Sequence, residues 1–135
     1  MTTPVNIEIA KLLKEKGFDE ECRLCVEDGD ERPLPFNCGN TIHRNSLHSY
    51  YSAPTIAEVV MWLYKKHGIW INPIPRLSSW IFTIQEVRTS NNESLIGIDF
   101  YESNTYLKSK GVPTIMNSPT EAYLGAIEYT LNNLI

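Results

Sequence analysis

Apolar residues recur at every second position through much of the stretch from 69 to 101, and no other feature restricts the fold as strongly. Successive side chains of a strand leave opposite faces of its sheet, so a period of two sorts residues into two layers. From Ser79 to Val87, Trp80, Phe82 and Ile84 share one face, and Ile81, Thr83 and Gln85 share the other. Leu95 to Tyr101 alternates again, with Ile96, Ile98 and Phe100 on one side and Asp99 and Tyr101 on the other. Asn91-Asn92 between them is turn chemistry. Ahead of both, Ile69-Trp70-Ile71 runs into Pro73 and Pro75, which predicts a short or edge strand. If Ile69, Ile71, Phe82 and Ile84 face the core, Trp70, Ile81 and Tyr101 fall on the second face. That face is semi-apolar and aromatic, a composition common at partner contacts, and these three residues are its candidate contacts. The opposing reading is that the first helix and the segment after it cover this face.

Helices flank the strands. Thr55 to Glu58 matches a capping box after Pro54, and Ile56, Val59, Val60 and Leu63 follow at helical spacing. Lys65, Lys66 and His67 suit the end of that helix, and Gly68 stops it. Ser118-Pro119-Thr120-Glu121 opens a last helix with an N-cap, a proline at its first position and a glutamate at its third. Its predicted buried stripe is Tyr123, Ala126, Ile127, Thr130, Leu131 and Leu134. A first helix is predicted over Val5 to Lys16, ended by Gly17, with Phe18 folding back on the last turn. Cys22 to Val26 reads as a short strand, followed by an Asp28-Gly29 turn. Pro33 and Pro35 hold any returning strand to an edge or a loop. Residues 37–51 show no clean period and read as loop, and Thr105 to Lys110 reads as a short helix or loop.

These elements predict an α+β fold: an antiparallel sheet of three to four strands with two or three helices, the second and last packed on one face. The 135 residues suit one domain. Within it, 1–51 forms an N-terminal helix, short strand and irregular segment, and 52–135 forms a helix–three strands–helix core.

Composition narrows the function classes. With 12 basic against 16 acidic residues the net charge is −4, which argues against nucleic acid and anionic membranes as partners. No apolar run is long enough for a membrane span, and the first residues lack the pattern of a secretory signal. Three cysteines, an odd number, fit a reducing cytoplasm better than a disulfide framework.

Three stretches resemble a known group. They are Ile9 to Phe18; Ser52-Ala53-Pro54-Thr55 leading to Trp62-Leu63 and Lys66-His67-Gly68-Ile69; and Ser118 to Tyr123 with its helix. In order and spacing they resemble small uncharacterised proteins of Bacteroidetes associated with phages and other mobile elements. The resemblance covers most of the chain and is weakest over 27–50. It implies an intracellular, phage-linked setting and no activity.

The sharpest chemical pattern is Cys22, Cys25, Cys38 and His43, whose spacing could close a tetrahedral zinc site. Against it, Arg23 and Leu24 sit in a strand-like run, where Cys22 and Cys25 would point to opposite faces. Small buried thiols are the preferred reading, so no cofactor is expected. His43 and His48 share an irregular segment without the spacing of a helical zinc pair. Seven acidic residues between 19 and 31 lack the calcium-loop pattern and read as a solvated turn. Nucleophile elbows, P-loops and dinucleotide-binding glycine patterns are missing. The helix–three strands–helix order matches double-stranded RNA-binding modules. However, Glu121 and Glu128 stand on the last helix, where such modules place phosphate-binding lysines. The sequence therefore favours a non-enzymatic interaction protein that contacts an unknown protein or a second copy of itself. A zinc-stabilised module and a small enzyme are the alternatives.

Overall fold

The computed structural model describes residues 2–35, 50–89, 95–102 and 116–135. The described residues form three helices and six strands in two antiparallel sheets, an α+β fold. They divide into two compact units, Met1–Trp62 with Ile135, and Leu63–Leu134. The boundary falls inside the second helix.

In the first unit, α1 (Ile7–Glu15) starts from Asn6, whose side-chain oxygen accepts from the Ile9 N–H at 2.9 Å. Val5 stays outside the predicted helix because its N–H donates to the Pro54 carbonyl, beside a bridge between Pro4 and Thr55. At the other end, Gly17 takes φ 85°, a left-handed conformation that glycine adopts without a Cβ penalty. The Phe18 N–H reaches the Leu13 carbonyl and the Gly17 N–H the Lys14 carbonyl, the paired bonds of a Schellman motif. Phe18 is thereby turned into the core, where its ring meets Trp62 edge-on at 5.3 Å.

Strands β1 (Leu24–Glu27), β2 (Asp30–Pro35) and β3 (Tyr50–Ser52) form a sheet in the order β2-β1-β3. Gly29, at φ 92°, turns β1 into β2. The prolines leave β2 at an edge, as expected. On β1, the neighbours Cys25 and Val26 are both buried, so this central strand is covered on both faces. Two boundaries differ from expectation. The strand predicted from Cys22 begins at Leu24, because the Cys22 thiol donates to the Leu24 carbonyl two residues on. In addition, Tyr50 and Tyr51, expected in a loop, belong to β3. Against this strand lies α1, with Lys14 Nζ 4.9 Å from the centre of the Tyr51 ring.

Helix α2 (Ile56–His67) begins in the predicted capping box. The Glu58 carboxylate accepts from the Thr55 N–H at 2.7 Å, and the Thr55 hydroxyl accepts from the Glu58 N–H at 3.3 Å.

In the second unit, β4 (Ile69–Pro75), β5 (Trp80–Thr89) and β6 (Leu95–Glu102) form a meander in that order. Helix α3 (Pro119–Asn133) packs against β4 and β5. Ile69, Ile71, Phe82 and Ile84 make up the buried register of those two strands. The α3 N-cap is Ser118, whose hydroxyl accepts from the Glu121 N–H at 3.1 Å. Burial on α3 is wider than the predicted stripe: Ala122, Gly125 and Tyr129 are covered too, whereas Tyr123 and Leu134 are half-buried. Buried Thr130 satisfies its hydroxyl on the Ala126 carbonyl at 2.7 Å. No helix among the described residues is long and apolar enough to cross a membrane. The Asn91-Asn92 turn and the short helix or loop expected over Thr105 to Lys110 lie outside the described residues.

Candidate functional site

On β4 and β5 the second face is built from the opposite register to the buried one. Trp70 lies across from Gln85, Asn72 from Thr83, and Ile74 from Ile81. Opposed residues in an antiparallel pair share a face, so these six form one surface of the second unit. Ile74, Ile81, Thr83 and Gln85 are half-buried, whereas Trp70 is 39% exposed. An exposed ring is held in place here. Tyr64, on the last turns of α2, meets Trp70 edge-on with centroids 5.6 Å apart and an interplanar angle of 80°. The chain reverses between the two through Gly68 at φ 66°. Two braced aromatic rings, with the Ile74–Ile81 pair farther along the same face beyond Asn72 and Thr83, offer rigid apolar area with little conformational entropy left to lose on binding.

The register separates Tyr101 from the other two candidate contacts. Tyr101 pairs with Ile84, Asp99 with Glu86, Phe100 with Gln85, and Ile98 with Val87. By register, Tyr101 therefore occupies the parity of the buried Ile84 position, not that of Trp70 and Ile81. The same pairing corrects the expectation that Phe100 and Ile98 share the register of Phe82 and Ile84. Alternation sets parity within a strand, but the connecting turn sets it between strands, and a slip of one residue exchanges the two faces. Trp70 and Ile81 do share a face, with Tyr64 added beside Trp70. Sequence reading missed Tyr64 because it sits between the apolar positions of α2, on that helix's wet side.

The cysteine pattern is only partly described. Cys38 and His43 lie outside the described residues, as does His48. Cys22 and Cys25 are both buried. Burial pushes the Cys22 thiol above its ordinary pKa, and the nearby Glu58 carboxylate adds to the shift. Hydrogen bonding with Ser52 and with the Ala53 and Leu24 backbone opposes it. Because Cys22 precedes β1, the opposite-face argument made for an unbroken strand does not apply to it. Among the described residues, no three His, Cys, Asp or Glu side chains converge on a point where they would hold a metal.

Other charged groups have local partners. Asp28 of the acidic turn pairs with Lys11 at 3.2 Å, an exposed pair of small energetic consequence. On α3, the Glu121 carboxylate accepts from the Asn117 N–H, a capping role. His67 is exposed, with its pKa lowered by partial burial and by Lys66 beside it. Comparison with known proteins finds no matching family model, curated protein or solved structure.

Proposed function

We propose that this protein is a non-enzymatic accessory protein of a phage or other mobile element, acting in the cytoplasm. It works by burying the Trp70 face of its second sheet against a protein partner, a second copy of the chain being the first candidate. The supporting observation is the exposed Trp70 ring, held edge-on by Tyr64 on the same sheet face as the half-buried Ile74–Ile81 pair. Tryptophan and tyrosine are the side chains that most often dominate contact energies. A net charge of −4 favours a protein partner over nucleic acid or an anionic membrane.

Sedimentation equilibrium tests the reading. Wild type should self-associate, and Trp70→Ala should weaken association about 30-fold, the effect of losing a contact worth roughly 2 kcal/mol. Ile81→Asp should weaken it as well, with the far-ultraviolet circular dichroism of the monomer unchanged. A monomeric wild type, or variants that sediment like wild type, would reject self-association through this face. A pull-down from phage-infected cells tests the setting.

A further inference from the structure

Pro73 and Pro75 stand on β4, the outer strand of the meander among the described residues. Proline has no N–H and cannot donate to a neighbouring strand. The register explains how β4 keeps its pairing with β5. In an antiparallel ladder, pairs that exchange two backbone bonds alternate with pairs that exchange none. At the hairpin end, the Arg76 N–H donates to the Ser79 carbonyl at 2.8 Å, and this bond sets the phase. The pairs Ile74–Ile81, Asn72–Thr83 and Trp70–Gln85 then exchange bonds, whereas Pro75–Trp80, Pro73–Phe82, Ile71–Ile84 and Ile69–Glu86 do not. An independent bond agrees with this phase. The Trp80 N–H, turned away from Pro75, donates to the Met116 carbonyl at 2.8 Å.

Both prolines therefore sit where the β4 backbone faces away from β5. Along that outer side Ile69 and Ile71 present amide donors, and the next two outward positions present none. Each outward position would give an added strand one donor and one acceptor, so the two prolines remove two of the four donors, at adjacent rungs, and leave only carbonyls there. We propose that Pro73 and Pro75 close the outer edge of β4 to strand addition, so that a second copy of this chain cannot extend the sheet there. The inference rests on register and proline chemistry, and it stands whether or not the Trp70 face binds a partner.

The test restores the missing donors in Pro73→Val/Pro75→Thr. This variant should self-associate about tenfold or more tightly than wild type at equal concentration. The association should survive addition of Ile81→Asp, which separates edge pairing from contact through the Trp70 face. Amide exchange gives a second reading. The new amides at 73 and 75 should exchange freely in dilute solution and become protected on concentration. If the double variant does not fold, Pro75→Thr alone, at an exposed position, carries the same two measurements. Self-association equal to wild type would overturn the proposal. So would new amides already protected at high dilution, because the edge would then be paired within the chain.

Discussion

Cys22 shows how much one side chain's surroundings decide. Its thiol is 6% exposed, donates to the Leu24 carbonyl at 3.3 Å, and has its pKa raised mainly by burial. The folded protein thus holds this proton more tightly than the unfolded chain does. The resulting stabilisation is fully present below the ordinary thiol pKa and is lost as pH rises through the raised folded value. Alkylation at about pH 8 should consequently be slower at Cys22 in the native protein than in urea, since the thiolate is the nucleophile. Peptide mapping of the labelled cysteines checks this, and equal native and denatured rates would refute it. Trp70 is a contrasting case in the second unit, where a large apolar side chain stays exposed because its register opposes the buried one.

At the scale of elements, the end of α1 offers a clean measurement. A Cβ added at Gly17 would meet nothing within 4 Å, so Gly17→Ala carries a backbone cost and no clash. The left-handed φ of 85° should make that cost about 1 kcal/mol, read as a lower urea midpoint at unchanged m-value. Gly17 was legible in the sequence, as were the Thr55–Glu58 capping box, the Ser118 N-cap, the Asp28-Gly29 turn and the edge placement of the proline-bearing strands. Each of these is local chemistry acting over a few residues. The limits of the sequence lay where distant partners decide. Strand β3 has three residues and no period of its own, and its strand character comes from pairing with β1. Pro73 and Pro75, which predicted a short or an edge strand, fall on the edge strand at positions that need no donor, so β4 runs on to Pro75. Of the candidate site, the Trp70–Ile81 face followed from alternation. The parity of Tyr101 did not, because the register between β5 and β6 is not written in either strand alone.

For the whole molecule, charge governs how copies approach one another. The chain carries −4 at pH 7 and has a pI near 5.3, so copies repel at neutral pH. If association runs through the apolar Trp70 face, it should tighten as pH falls toward 5.3. It should also tighten with added salt, which shortens the screening length to about 10 Å at 0.1 M. Sedimentation across a salt series checks this, and a contact held by ion pairs would weaken instead. The division of the chain at Trp62 and Leu63 has a practical outcome for anyone dissecting the gene. A cut there would leave each product with a stub of α2, Ile56–Trp62 on one side and Leu63–His67 on the other. Neither stub is long enough to nucleate a helix alone. The two halves should therefore be expressed together or with α2 duplicated, since a fragment ending at the boundary loses the helix that completes it.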